Sequence, residues 1–373
     1  IRSIGPRGLL DQSRAQLQID GAVSHLDWLE QFIQGELAGA VSGRGALGGE
    51  LHLVAGLPVV GTDIKVASPD LSVEILDYVT EGLGDVRLRV VEGGRLPDWQ
   101  FDVSYTDARL RRIVDEAGFV DSVSARLGGT VADVGLQEKP QLDQIRLQID
   151  SARLADVSVF NSFLPPKAPL RFLAGEAALT ADVTLRRDAA SGWLKLQGEQ
   201  VTARLEQQTV AGDLAADMVI SGGRPADMVF DIAGSSVTLN RVTVSGDRRQ
   251  LAPSDWSTRI DFPTATVQWR APLEMVADAR LRMSDTRPLV TLFENLGPSP
   301  AFLARMLTVE DISGRARVEA SGNVMLFPDV SLDSDHIDID ARGLIAPERR
   351  EGMLYMRYRR ADAVLKLLDG KRN

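Results

Sequence analysis

The run Gly43-Arg44-Gly45-Ala46-Leu47-Gly48 matches G-x-G-x-x-G. That motif binds a dinucleotide only when a strand precedes it and a helix follows, so that the pyrophosphate meets the helix N-terminus. Here the helical spacing comes first, over 25–33, and Glu50-Leu51-His52-Leu53-Val54 reads as a strand. The order is inverted, and no cofactor is expected. The three histidines, His25, His52 and His336, lie far apart and form no H-E-x-x-H pair, and no G-x-S-x-G elbow accompanies them. The chain has no cysteine, which excludes thiolate zinc sites, cysteine nucleophiles and disulfides. Asp329, Asp333, Asp335, Asp338 and Asp340 make an acidic cluster. A calcium loop needs Gly at its sharp turn, and the first glycine after this cluster is Gly343. Asp338 and Asp340 fit the solvent face of a strand whose other face holds Ile337 and Ile339. The expectation is a chain without catalytic residues, metal or cofactor.

Composition narrows the classes further. The 373 residues carry 42 Lys+Arg against 52 Asp+Glu, a net charge of −10, without the basic footprint of a nucleic-acid binder. At 44% hydrophobic and 25% charged the chain is expected to fold rather than stay disordered. No apolar run reaches the 18 residues of a spanning helix. The chain opens at Ile1 without a signal peptide, and is expected to be a trimmed piece of a longer protein. Arg349-Arg350, Arg357, Arg359-Arg360 and Lys371-Arg372 make the C-terminal stretch basic. Such charges protect a sheet edge against strand addition, or meet anionic headgroups.

The elements behind these residues read mostly as strands. Val201, Ala203 and Leu205 alternate with polar residues, as do Val237 with Leu239, Ile337 with Ile339, and Leu354 with Met356 and Tyr358. Gly222-Gly223-Arg224-Pro225 and Gly246-Asp247-Arg248-Arg249 read as turns. Helical spacing is confined to 25–33, with Ser24 as N-cap, to 107–114, and to 285–293, with an Asp cap and Pro in the first turn. Aligned, these segments suggest a degenerate repeat. A strand leads to an acidic or small residue, a short amphipathic segment, and a second strand opened by Gly. Leu147-Gln148-Ile149-Asp150, then 157–164, then Leu173-Ala174-Gly175-Glu176 is a further copy.

The repeat resembles the AsmA/TamB-like proteins of Gram-negative envelopes over residues 14–372. The carrying residues are above all Met283-Ser284-Asp285-Thr286-Arg287-Pro288-Leu289-Val290 leading to Ile312-Ser313-Gly314-Arg315, and the C-terminal run from Gly352 to Arg372. The resemblance implies a mainly β fold, an elongated, curved antiparallel sheet forming a groove with a few short helices. It implies a periplasmic location, an inner-membrane anchor in the full-length protein, and a groove that shields phospholipid acyl chains between the two membranes. Residues 1–140 are expected to form N-terminal β-rich units with short helices, and 141–373 the groove segment, alternatively one continuous domain. The expected partners are phospholipid or another acyl lipid, with inner- and outer-membrane proteins and no nucleic acid. The alternative is an assembly factor that pairs with an outer-membrane barrel by strand addition.

The strands also carry an apolar surplus. Leu214, Ala216, Met218 and Ile220 form one face, and Ala177, Leu179, Ala181 and Val183 another. An open sheet must bury such faces against a second layer, and the few helices are too short to supply one. Self-packing and a ligand both satisfy this requirement, and the resemblance favours the ligand. The candidate lipid-contacting residues are Leu214, Met218, Ile220, Val237, Leu239, Leu354 and Met356.

Overall fold

The computed structural model describes residues 13–30, 38–75, 78–92, 96–113, 120–132, 141–162, 164, 170–186, 188–205, 208–246, 250–251, 256–270, 273–288, 290–291, 308–322, 324–346, 349–358 and 361–367. Strand outweighs helix by 81% to 6%, and the strands form an antiparallel sheet that does not close on itself. The expected fold class is therefore observed. By contact density the chain divides into two units. The first comprises 1–154 with 180–190, and the second 155–179 with 191–373.

The first unit holds β1 (Arg14–Val23), β2 (Ala38–Ser42), β3 (Gly45–Val54), β4 (Leu57–Pro58), β5 (Asp63–Ile75), β6 (Tyr78–Glu92), β7 (Asp98–Arg112), β8 (Val120–Ala132) and β9 (Gln141–Leu154). The last residues of β10 (Leu170–Arg186) belong to it as well. From β5 to β9 each strand pairs with the next, antiparallel. The register sets Val66, Val86, Val103, Leu127 and Leu147 in one row, and Ile64, Leu88, Phe101, Gly129 and Ile145 in the next. Because side chains alternate across a strand, both rows lie on one face. That face is packed: Phe101 and Leu88 are each 1% exposed and Val66 is 2%. Gly129 makes room for this packing, since a Cβ there would sit 2.6 Å from two carbons of the Phe101 ring. The opposite face is charged. Arg87 binds Asp63, Arg89 binds Asp102 and Arg146 binds Asp182 across neighbouring strands.

The second unit holds the rest of β10, then β11 (Ala190–Leu205), β12 (Gln208–Ile220), β13 (Gly222–Arg224), β14 (Val229–Asp231), β15 (Ser235–Ser245), β16 (Gln250–Leu251) and β17 (Ser257–Gln268). It continues through β18 (Glu274–Asp285), β19 (Glu310–Ser321), β20 (Val324–Asp333), β21 (Ile337–Ala346), β22 (Arg349–Tyr358) and β23 (Ala361–Leu367). The main ladder runs β11, β12, β15, β17 and then consecutively to β23, antiparallel at every step.

Several local expectations are corrected. Residues 107–114 were expected to be helical, but β7 runs through Arg112 and Asp107 takes a left-handed φ of 59° within it. Leu110 sits opposite Thr80 on β6 and Val120 on β8, and two-sided pairing outweighs the helical spacing of Leu110 and Ile113. The helix expected over 25–33 begins as a 3-10 turn at Asp27–Leu29, with Leu26 rather than Ser24 at the N-cap position. Leu26 and Leu29 are 0% and 3% exposed, and three-residue spacing stacks them on one side of a 3-10 turn. Phe32 and Ile33 lie outside the described residues. Gly222–Arg224, expected as a turn, is strand β13 paired with β14, and the chain turns at Pro225–Asp227 instead. In the other expected turn, 247–249 lie outside the described residues. The 285–293 segment starts as expected: Arg287 N–H donates to the Asp285 carboxylate at 2.8 Å, and a helical turn follows through Pro288.

Candidate functional site

The second unit carries a continuous apolar row across its ladder. Leu196 faces Ala216, then Val237, Ile260, Leu281, Gly314, Leu332, Ile339 and Met356 in successive strands. Residues directly opposite in a ladder share a face, so one side of the sheet is apolar across nine strands. At Gly314 a Cβ would fall 2.4 Å from Leu332 Cδ2, so the leucine lies over the glycine and keeps the row continuous.

All seven candidate residues lie on this face. Leu214 and Leu239 are direct partners, Val237 faces Ala216, and Met218 and Ile220 follow along β12 at alternate positions. Leu354 and Met356 occupy the same face of β22. The structure divides them between two ends. Met356, 2% exposed, belongs to a packed cluster with Val242, Val244, Trp256, Met283, Val309, Ile312 and Ile337, against which Leu239 and Leu354 rest. Met218 rests on a second cluster of Ile232, Ala265, Val267 and Ala277. The first cluster is fastened by the helical turn after β18. Trp256 Nε1 donates to the Asp285 carbonyl at 2.7 Å, and the Asp285 carboxylate takes two bonds from the Arg287 guanidinium.

Part of this face is less filled than the first unit's. Ala216, Val237 and Ile260 stay partly exposed and belong to neither cluster, while Leu281, Leu332 and Ile339 are partly exposed but pack against the first cluster. The corresponding rows of the first unit are packed at their centre. Sequence reading missed Ile260, Leu281, Leu332 and Ile339 as members of this face. Their alternation with Arg259, Asp261, Arg280, Arg282, Ser331 and Asp333 was available, but the register that aligns them was not.

The reverse face is polar. Arg259 binds Asp261 at 2.7 Å, and Arg317 reaches Glu319 at 3.1 Å and Asp278 at 3.4 Å. The Gln200 N–H, reinforced by Arg241, holds the Asp213 carboxyl below the usual carboxylate range.

The residues weighed for other chemistry are scattered. Gly43 and Arg44 turn the chain between β2 and β3, and Gly45 opens β3 with Ala67 O 2.3 Å from where its Cβ would stand. These glycines serve close strand approach, and a strand rather than a helix follows them. His52 lies on β3 with Nε2 3.2 Å from Glu50. His25 precedes the 3-10 turn. His336 stands in the turn between β20 and β21, where Ser334 bonds back to Ile337 and reverses the chain. Asp338 and Asp340 are exposed opposite the Ile337 and Ile339 side of β21. Of the C-terminal arginines, Arg349 and Arg357 are engaged by Glu351 and Asp362, while 359, 360, 371 and 372 lie outside the described residues. Among the described residues no His, Asp and Glu group is arranged to hold a metal ion, and no helix is long and apolar enough to cross a membrane.

No protein-family model, curated protein or solved structure matches this chain.

Proposed function

We propose that this is a non-enzymatic lipid-binding protein that holds acyl chains against the apolar face of its second unit and passes phospholipid between membranes of a Gram-negative envelope. The observation that carries the reading is the contrast between the apolar faces of the two units. The first unit fills the centre of its face with its own side chains. In the second, Leu214, Val237 and Ile260 stay partly exposed outside both packed clusters, and Leu281, Leu332 and Ile339 stay partly exposed at the margin of one. An apolar face of that extent calls for a partner. Each acyl CH₂ buried there gains about 0.8 kcal/mol. Because the row is apolar from strand to strand, that gain changes little as a chain slides across it. The headgroup stays in water. The repeat's resemblance to AsmA/TamB-like proteins supports the same reading, with the periplasm as the proposed location.

Mass spectrometry of an organic extract of the purified protein tests the proposal. Phospholipid in stoichiometric amount is expected. A lipid-free protein that also takes up none from vesicles would overturn it.

One observation favours a second reading, an assembly factor acting by strand addition. The described ladders give β23 a single neighbour, β22, and Val364 on it is 60% exposed. Crosslinking from β23 to an outer-membrane barrel, with no lipid in the extract, would favour that role.

A further inference from the structure

We infer that the polar face of the second unit carries a phosphate-binding site built from Arg280, Arg282 and Arg315. The three arginines line an open cleft of about 700 Å³ with Ser313 and Ser331, within the range of small-molecule sites. By alternation these five residues point away from the apolar row. Of the apolar row, Leu281 and Gly314, which stand between these residues in the chain, also border the cleft, whereas Ile260 and Leu332 do not.

The register concentrates the charge. Arg280 stands directly opposite Arg315, and Arg282 directly opposite both Arg259 and Ser313. Like charges facing each other across a ladder are destabilising, and this chain has 52 acidic residues with which to avoid it. The neighbouring arginines do so: Arg259 binds Asp261, and Arg317 binds Asp278 and Glu319. Among the described residues Arg280, Arg282 and Arg315 have no such partner, and all three are exposed. Two carboxylates also line the cleft, Asp333 and Asp261, the latter opposite Arg280 in the ladder but ion-paired with Arg259. Three guanidiniums against two carboxylates leave a net positive lining.

The chemistry that fits is a tetrahedral oxyanion with several oxygens. Guanidinium forks bind phosphate with paired N–H donors, and the hydroxyls of Ser313 and Ser331 add two more. A phosphorylated small molecule and a phospholipid headgroup offer the same group. The site lies on the reverse of the apolar face and does not depend on acyl chains binding there.

The test uses the full chain and two probes. Inorganic pyrophosphate is titrated by calorimetry, and flotation is measured with vesicles of phosphatidylglycerol against phosphatidylcholine. The comparison is between R280Q/R282Q/R315Q and a charge-matched control, R14Q/R204Q/R342Q, which removes exposed arginines scattered over other strands. Loss of about tenfold or more in pyrophosphate affinity, in the first variant only, supports the site with a soluble phosphate as its ligand. Loss of phosphatidylglycerol flotation in the first variant only, without pyrophosphate binding, supports the site with a headgroup as its ligand. Equal losses in both variants, or binding of neither probe by the wild type, overturn the inference. Phenylglyoxal footprinting of the wild type needs no variant. Whichever probe binds must protect Arg280, Arg282 and Arg315 while Arg14, Arg204 and Arg342 stay reactive, and uniform reactivity would refute the site.

Discussion

Truncating one strand-centre residue in each unit separates a filled face from a more open one. Phe101 is 1% exposed and packed against Gly129 at the centre of the first unit. Phe101→Ala removes the ring and leaves a cavity that the surrounding strands cannot close, at a cost of about 3–5 kcal/mol. Ile260 occupies the equivalent strand-centre position in the second unit but is partly exposed. Water already reaches it, so Ile260→Ala in delipidated protein forfeits only part of the transfer energy and opens no sealed cavity. The cost expected is about 1–2 kcal/mol, below the range for fully buried aliphatic truncations. Urea unfolding read by pulsed hydrogen exchange reports the peptides of each unit separately. The first unit should lose most of its stability in Phe101→Ala, and the second should shift modestly in Ile260→Ala. If Ile260→Ala costs as much as Phe101→Ala, the second unit is as tightly packed as the first and the reasoning fails.

Other expectations follow from the same geometry. Leu239→Asp and Leu354→Asp place an unpaired charge on the apolar face, which disfavours acyl contact; folded variants with depleted lipid in the extract are expected, and normal lipid content would argue against this face. Asp285→Ala removes both the cap on the Arg287 N–H and the guanidinium's partner, and should destabilise the second unit by about 1–2 kcal/mol in urea titration; an unchanged midpoint would contradict that role. Arg87 holds the Asp63 carboxyl and Arg146 the Asp182 carboxyl below the usual range. Stability from these depressed groups is fully present above the unfolded carboxylate value of about 4 and is lost as pH falls through the lower folded values. The urea midpoint should therefore hold from neutrality to about pH 5 and drop below about pH 4. D63N/D182N should shrink that drop, and a midpoint that rises on acidification would contradict the sign. Changing His25, His52 and His336 together to Gln should leave lipid content unchanged, and its loss in a folded variant would point to chemistry at a histidine.

The strands were legible because period two survives in short windows. Leu354 with Met356 and Ile337 with Ile339 announce their faces without any partner. The 107–114 segment was misread because Asp107 bulges within β7. An inserted residue breaks the alternation, and what remains mimics helical spacing. Arg241 and Asp311 take left-handed φ values of 51° and 52° in the same way, and nothing in their residue types marks them. The apolar row was only half legible. Val237 and Leu239 could be assigned to one face, but their alignment with Ile260, Leu281 and Met356 depends on registers fixed by pairing between distant strands. The arginine cluster was hidden for the same reason. Arg280-Leu281-Arg282 places two cations on one side of a strand, yet Arg315 joins them only through the pairing of β18 with β19.

Site-specific photocrosslinking to radiolabelled phospholipid in vesicles tests the central claim most directly. A photoreactive residue is placed singly at Leu239, Ile260, Leu281 and Leu354 on the apolar face, and at Lys195, Thr238, Asp340 and Tyr355 on its reverse, away from the arginine cleft. The account predicts lipid adducts from the first four positions and background from the second four. Adducts of equal yield from both faces, or from neither, would contradict it.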